Sequence, residues 1–103
     1  GTNLTIHMPK ELDHHNAEEI KREADRLLGT RNIRSIIFDF EKTSFMDSSG
    51  IGMMMGRYKN IRFAGGTVLA ERVKERIRRI LTLSGVYKYI DIYEDLPKHS
   101  EVF

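Results

Sequence analysis

Residues 45–52 read Phe-Met-Asp-Ser-Ser-Gly-Ile-Gly and stand between a strand-like run and a helix-like run. The preceding run, Ile36–Phe40, is mostly apolar and is predicted to be buried on both faces, whereas Ile51–Phe63 has apolar residues at helical spacing. This order places Ser48 and Ser49 at a helix N-terminus, where free N–H groups and the helix dipole favour negative charge. A serine there can cap the helix, act as a nucleophile or accept a phosphoryl group.

Length and composition indicate one soluble globular domain. The 103 residues are 40% hydrophobic and 31% charged, and the net charge of +2 does not suggest a nucleic-acid binder. The chain contains no cysteine, so disulfides and thiolate chemistry are excluded and a cytoplasmic location is expected. No apolar run approaches the roughly 20 residues that a membrane span needs, and no signal peptide is visible.

Hydrophobic periodicity alternates between strand and helix along the chain. It predicts strands over Leu4–Met8, Ser35–Phe40, Thr67–Ala70 and Tyr89–Tyr93, and helices over Asn16–Gly29, Ile51–Phe63 and Glu71–Ser84. Asn16 is predicted to start the first helix because Glu19 follows it at the spacing of a capping box. This rhythm predicts an α/β domain, in which three to four helices pack against a sheet of about four strands.

A serine hydrolase is the first enzyme interpretation of the serine stretch. Such an enzyme needs a base and an orienting acid near its nucleophile. Residue 47 is Asp, where the nucleophile-elbow pattern has Gly. No motif surrounds any of the four histidines, which are His7, His14, His15 and His99. A hydrolase is therefore not favoured.

A dinucleotide site is the second enzyme interpretation. Gly50, Gly52 and Gly56 follow a strand, and Glu71 comes later at a strand end, as in a Rossmann fingerprint. The last glycine spacing is one residue too long, and the chain is short for a dinucleotide domain. Close packing of the helix on the sheet or on a partner is favoured for Gly52 and Gly56. Neither enzyme interpretation is therefore favoured.

Two further segments have a binding interpretation and a structural one. His14 and His15 are predicted to point apart, with no Cys or His at ligand spacing, so surface histidines are favoured over a metal site. Residues 72–79 hold five basic side chains, but Glu71 and Glu75 dilute their charge and no aromatic residue interleaves them. A solvated helix face is therefore favoured over nucleic-acid binding.

Two segments together resemble one known family. Residues 45–52, with Gly-Arg-Tyr-Lys at 56–59, are similar to the phosphorylation segment of anti-sigma factor antagonists of the STAS domain family. Residues 11–18 read Glu-Leu-Asp-His-His-Asn-Ala-Glu and resemble the Glu-Leu-Asp-His-His-Thr-Ala-Glu segment of sporulation-type members. The resemblance includes the Gly-Gly turn at 65–66. It implies a single STAS domain over residues 1–103, with a mixed β-sheet and no cofactor, and a protein that is a kinase substrate and a ligand, not an enzyme.

The resemblance also implies a regulatory cycle. In this family the unphosphorylated antagonist binds a cytoplasmic anti-sigma factor that is also a serine kinase, and binding frees a sigma factor. The kinase phosphorylates the second serine of the pair, here Ser49, which dissociates the complex, and a PP2C-type phosphatase restores the active form. The alternative is a STAS interaction module of a stress-type partner-switching or stressosome-like pathway.

The phosphorylation segment has three neighbours of Ser49 that shape its surroundings. Ser48 is expected to influence the backbone without accepting a phosphoryl group. Asp47 supplies a negative charge that would repel a phosphate, and Gly50 removes a side chain from the approach.

Four further positions are predicted to contact the partner. The resemblance implies that Asp13 docks the kinase with Glu11 beside it, and Asp13 is equally a natural cap for the first helix. Met53 and Arg57 lie one and two turns beyond Ser49 and are predicted to line the same surface. Met53 lies off the apolar stripe of its helix, so it is either a stray exposed methionine or a soft contact for a partner.

Three departures from the family pattern affect the edges of the fold. The family has another N-terminal strand in a hairpin with Leu4–Met8, and this chain is expected to lack it, which leaves an edge open to strand exchange or dimerisation. Pro9 and Lys10 replace a Thr-Gly-like pair, so the docking loop is expected to differ. The family's C-terminal helix is poorly represented, and residues 95–103, with Pro97, are predicted to form a frayed tail.

Overall fold

The computed structural model describes residues 3–95 as alternating strands and helices. The main strands are β1 (Asn3–His7), β3 (Ser35–Asp39), β5 (Thr67–Glu71) and β6 (Asp91–Ile92), and a short pair is formed by β2 (Glu11–Leu12) and β4 (Phe45–Met46). The helices are α1 (His14–Thr30), α2 (Ser48–Phe63) and α3 (Glu75–Ser84), and a 3₁₀ turn covers Val86–Lys88. The predicted α/β class is confirmed. The predicted frayed tail, apart from Asp95, lies outside the described residues.

The four main strands form one sheet in the order β1-β3-β5-β6, and every pairing is parallel. The resemblance implied a mixed sheet, but within residues 3–95 no antiparallel strand joins it, because each helical crossover returns the chain to the same end of the sheet. Strand β1 is paired only with β3 in this part of the chain, so its outer edge is open there.

The core lies on one face of the sheet. Inward residues of the two central strands are at most 7% exposed and cluster with residues of α2 and α3; these strand residues are Ile36, Phe38, Val68 and Ala70. Their neighbours Ile37 and Leu69 are only half-buried. The prediction that β3 is buried on both faces is therefore wrong. Ile36 and Phe38 are buried in the core, whereas Ile37, on the opposite face of β3, is only partly covered. Among residues 3–95, no helix combines the length and apolar content needed to cross a membrane.

Helix α1 is capped by Asp13. The Asp13 carboxylate accepts a hydrogen bond from the backbone N–H of Asn16 at 3.0 Å, so the helix begins at His14, earlier than predicted. The Asn16 side chain instead donates to the carbonyl oxygen of Glu11 at 2.7 Å. The capping-box prediction is therefore wrong, and Asp13, to which the resemblance assigns kinase docking, caps α1.

Replacing Asp13 with alanine is expected to lower the free energy of unfolding by about 0.5–2 kcal/mol, because the Asn16 N–H loses its acceptor. Urea unfolding followed by circular dichroism measures the loss. Asp13→Asn is the matched control, since its amide oxygen can still accept this hydrogen bond. If Asp13→Ala were as stable as the wild type, the cap would contribute nothing to the fold.

Two boundaries after α2 also differ from the sequence prediction. Strand β5 continues through Glu71, and Arg72 then adopts a left-handed φ of 55°, so α3 begins only at Glu75. The strand predicted over Tyr89–Tyr93 shrinks to β6, because the left-handed Gly85 leads into the 3₁₀ turn. Apolar residues continue through both turns, so periodicity could not locate these boundaries.

Two carboxylates are buried side by side at the carboxyl end of the sheet. Asp39 and Glu71 are paired in register and are 2% and 7% exposed. Asp39 lies 3.0 Å from His7 Nδ1 and 3.4 Å from Arg72 Nη2. Burial and, secondarily, the charge of Asp39 raise the pKa of Glu71 above its ordinary value.

We expect Glu71→Gln to be more stable than the wild type at neutral pH, with the difference vanishing below about pH 4. Because the folded pKa is raised, the folded state binds the Glu71 proton more tightly than the unfolded state does. Stability is therefore lost as pH rises from the unfolded pKa through the folded one. Urea unfolding across this range measures the effect, with the exposed Glu75→Gln as control. Parallel pH profiles of Glu71→Gln and the wild type would contradict it.

Candidate functional site

The short parallel pair β2–β4 brings the two sequence motifs together. Leu12 pairs with Met46, and the Asp47 N–H donates to the Leu12 carbonyl oxygen at 3.2 Å. Asp13 and Asp47 directly follow these paired residues and cap the two helices. As a result, α1 and α2 begin side by side. Periodicity could not predict strands of two residues each.

Helix α2 is capped by Asp47. Its carboxylate accepts a hydrogen bond from the Ser49 N–H at 2.8 Å, and its backbone is extended. Ser48 is therefore the first helical residue and is exposed, while Ser49 is half-buried. The interpretation of either serine as the helix cap is wrong, because Asp47 already satisfies that amide. The helix does not need the Ser49 hydroxyl.

The Ser49 hydroxyl faces the start of α1. Its Oγ lies 3.4 Å from Nδ1 of His14, whose side chain is exposed. The described histidine that hydrogen-bonds a carboxylate is His7, with Asp39. Residues 3–95 thus do not assemble the serine, base and orienting acid of a hydrolase. The contact between His14 and Ser49 was not predicted from the sequence. The one hint was that His14 directly follows Asp13, a candidate cap for the first helix.

The glycine stretch is used for internal packing at its start. Gly50 is buried, and a β-carbon there would lie 2.8 Å from Leu12 Cδ2 and 2.9 Å from Met46 Cε. Glu71, which the dinucleotide interpretation would place on a ribose, is buried beside Asp39. Gly50 therefore lets the first turn of α2 approach the β2–β4 pair closely.

A groove of about 310 Å³ separates α1 from α2, with the Ser49 hydroxyl at the end where both helices begin. We call it the α1–α2 groove; its polar and apolar walls include His14, Glu18 and Lys21 of α1 and Ser49, Met53 and Arg57 of α2. The groove is open to solvent and joins the two sequence motifs in one surface.

Met53 and Arg57 lie in this groove but are buried. Each is 5% exposed, because α1 packs along that side of α2. The interpretation of Met53 as an exposed methionine is wrong, since it belongs to the core cluster. Arg57 Nε lies 3.0 Å from Asp25 Oδ1 of α1, an ion pair that the sequence did not suggest. Both side chains hold α1 against α2, and their contact with a partner stays a prediction.

The two acidic residues predicted to dock the kinase differ in exposure. Glu11 is exposed on β2, whereas Asp13 is half-buried and its carboxylate is engaged by the helix cap. Both lie within three residues of the start of α1 at His14. Their docking roles stay predictions.

Gly52 and Gly56 have room for a side chain. Nothing lies within 4 Å of a β-carbon added at either position, so close packing on the sheet does not explain them. Both line the α1–α2 groove, and close approach of a partner to them stays a prediction.

Gly52→Ala is expected to stabilise the fold by about 0.5–1 kcal/mol, because alanine is the better helix former. The same methyl group is expected to weaken binding of a partner that enters the groove. Urea unfolding and calorimetric titration measure the two effects. Gly29→Ala in α1, which also meets no atom within 4 Å, is the matched control and should keep full binding. Unchanged binding by Gly52→Ala would show that no partner approaches this turn closely.

Other candidate ligands and charges are dispersed. Within the described part of the chain, no three His, Asp or Glu side chains group to hold a metal ion. His15 lies 3.9 Å from Glu19, on the exposed surface of α1. Ion pairs partly neutralise the basic helix; they join Arg78 to Glu94 and Arg79 to Glu75.

Two relatives of this chain are anti-sigma factor antagonists. The chain is 34% identical over 92 residues to the anti-sigma F factor antagonist of Paenibacillus polymyxa, covering 89% of this chain and 79% of that protein. It is 37% identical over 49 residues to the anti-sigma-B factor antagonist of Bacillus subtilis, covering 48% of this chain and 45% of that protein.

A solved structure has the same architecture. The phosphorylated form of the Bacillus cell fate determinant SpoIIAA superimposes with a TM-score of 0.71 at 28% identity, covering 88% of this chain and 82% of that one. The family model described as STAS domain matches residues 1–99. This chain therefore belongs to the STAS domain family.

Proposed function

We propose that this protein is an anti-sigma factor antagonist that is switched off by phosphorylation of Ser49. Its unphosphorylated form binds an anti-sigma factor that is a serine kinase, and this binding releases a sigma factor. One observation carries the proposal: the Ser49 hydroxyl is half-buried at the mouth of the α1–α2 groove and is not needed as a helix cap. Similarity to an anti-sigma F factor antagonist supports the same role.

The phosphoryl transfer follows from this placement. Ser49 Oγ forms a bond to the γ-phosphorus of ATP on the kinase, the bond from that phosphorus to ADP breaks, and the hydroxyl proton leaves to a base. The phosphate adds about −1.5 to −2 charges. The N-terminus of α2 tolerates this charge, with a gain of roughly 0.3–2 kcal/mol. The switch therefore acts at the interface and leaves the fold intact, and a PP2C-type phosphatase reverses it by hydrolysis.

The proposed docking surface surrounds the common end of α1 and α2. Glu11 contributes an exposed charge, whereas Asp13 acts mainly by holding the start of α1. Met53 and Arg57 are buried beneath this surface and contribute to docking indirectly, because they hold α1 and α2 in place as the walls of the groove.

Intact-mass analysis after incubation with ATP and the cognate anti-sigma kinase tests the proposal. One added phosphate on Ser49 is expected, retained in Ser48→Ala and absent in Ser49→Ala. Complex formation without phosphate would assign a different kind of STAS docking module. Neither phosphate nor complex would overturn the proposal.

A stress-type partner-switching role is the second candidate. It is favoured by the similarity of about half the chain to an anti-sigma-B factor antagonist. Competition between sigma F-type and sigma B-type anti-sigma kinases for the purified protein distinguishes the two pathways. We expect the sigma F-type kinase to bind more tightly, because the longer similarity is to that class.

We further propose that the protein acts in the cytoplasm with its kinase.

We also propose that the open edge of β1 supports a dimer. Apolar side chains flank this edge in a cleft against α1, among them Leu4, Ile6 and Leu27. Light scattering during gel filtration measures the mass, and Thr5→Pro, on the exposed part of β1, is expected to shift it toward the monomer.

A further inference from the structure

Two helix N-termini lie side by side near the Ser49 hydroxyl. The β2–β4 pairing starts α1 at His14 and α2 at Ser48 at the same height. Each start carries unsatisfied N–H groups and the positive end of a helix dipole. His14 Nδ1 stands 3.4 Å from Ser49 Oγ, so the form of the imidazole that carries a proton on Nδ1 can donate to a group attached to that oxygen.

The same groove contains a buried cation whose hydrogen-bonding capacity is not used. Arg57 is 5% exposed, and its Nη1 has no hydrogen-bond partner among residues 3–95. Lys21 lines the groove from α1, and Glu18 is the one acidic side chain that faces it there. Arg57 is also paired with Asp25, and the Asp47 carboxylate stands beside Ser49, so the groove has no net excess of positive charge. His14 is the donor group nearest to Ser49 Oγ.

We propose that the mouth of the α1–α2 groove is a binding site for a phosphomonoester dianion, and that its occupant is the phosphoryl group of Ser49 itself. The His14 imidazole donates a hydrogen bond to a phosphate oxygen. Arg57 and Lys21 lie about two turns deeper and do not reach the phosphate, so the contact depends on His14. This inference rests on the proposed phosphorylation of Ser49 and assigns His14 as the residue that holds the modified form.

The consequence is a phosphate drawn into the protein's own docking groove. The dianion there would block partner entry and also stabilise the pairing of α1 with α2. A phosphoserine without this contact would gain stability from the α2 dipole alone, and that gain would not depend on His14.

The experiment installs phosphoserine at position 49 during translation, so no kinase is needed. The melting temperature of the phosphorylated protein is compared with that of the unmodified one in wild type, His14→Ala and His15→Ala. We expect phosphorylation to raise it by about 4–8 °C in the wild type, the shift that corresponds to about 1 kcal/mol in a domain of this size. His14→Ala should lose most of this gain.

His15→Ala is the matched control, because the imidazole of His15 lies next to Glu19 and not next to Ser49. It should keep the gain, and His14→Asn should recover part of it through its amide N–H. Phosphorus NMR gives a second readout that general stability would not move. The phosphate of the wild type should titrate at lower pH than that of His14→Ala, since a hydrogen bond donated to a phosphate oxygen favours the dianion.

Three outcomes would overturn the assignment: equal gains in wild type and His14→Ala, equal losses in His14→Ala and His15→Ala, or no gain in the wild type. Inorganic phosphate added to unmodified protein tests the other source of the same anion. An equal gain from the free anion would also overturn the intramolecular assignment. Failure of the kinase to modify Ser49 would contradict the proposed function alone, because here the phosphoserine is already in place.

Discussion

Replacing Ser49 with aspartate is expected to weaken binding of the anti-sigma factor by at least about 100-fold, a loss of about 3 kcal/mol. The new carboxylate would stand next to Asp47, whose own carboxylate caps the same turn. A partner that closes over the groove would have to desolvate both charges. The dipole of α2 tolerates the charge in the free protein, so the urea midpoint should match that of the wild type. Calorimetric titration with the anti-sigma factor measures the loss.

Ser48→Asp separates charge from position. It adds the same charge one residue earlier, on an exposed side chain at the start of α2, and should keep most of the binding. Ser49→Ala should bind like the wild type. Equal affinities of Ser49→Asp and wild type would refute the interface block, whereas equal losses in Ser48→Asp and Ser49→Asp would make it a general charge effect.

Gly66→Ala is expected to destabilise the protein by about 3 kcal/mol, near the upper end of ordinary overpacking costs. A β-carbon at Gly66 would overlap the carbonyl oxygen of Arg34 and lie 2.5 Å from Ile61 Cγ1. That carbonyl accepts the Thr67 N–H where β5 joins β3, and the Gly66 N–H donates to Ile61 at 2.7 Å. The backbone therefore cannot shift without breaking the start of the central strand pair. Urea unfolding should show a lower midpoint.

Gly29→Ala is the control for this prediction. It lies near the end of α1, where an added β-carbon meets no atom within 4 Å, so this variant should be slightly more stable than the wild type. If Gly66→Ala matched Gly29→Ala in stability, the turn between α2 and β5 would have to be looser than the structure shows.

Sequence patterns predicted the elements that have strong periodicity. Ser35–Phe40 and Thr67–Ala70 became the central strands, and Ile51–Phe63 became most of α2, because burial of an apolar face dominates in elements of this length. The boundaries were less predictable. Asp13 caps α1 and Asp47 caps α2, although neighbouring polar residues could also have served as caps. Which polar side chain accepts the hydrogen bond from the free backbone N–H depends on the local geometry of that turn.

The amino-acid sequence was sufficient to predict the α/β class, the family and Ser49 as the candidate phosphorylation site. These predictions depend on local periodicity and on contiguous motifs. Only the folded chain showed that Met53 and Arg57 are buried and that His14 reaches Ser49. Those facts arise from the β2–β4 pairing and from the packing of α1 on α2, which join residues more than 30 positions apart. Contacts across such distances leave no periodic trace in a single sequence, since each partner satisfies its local preferences without the other.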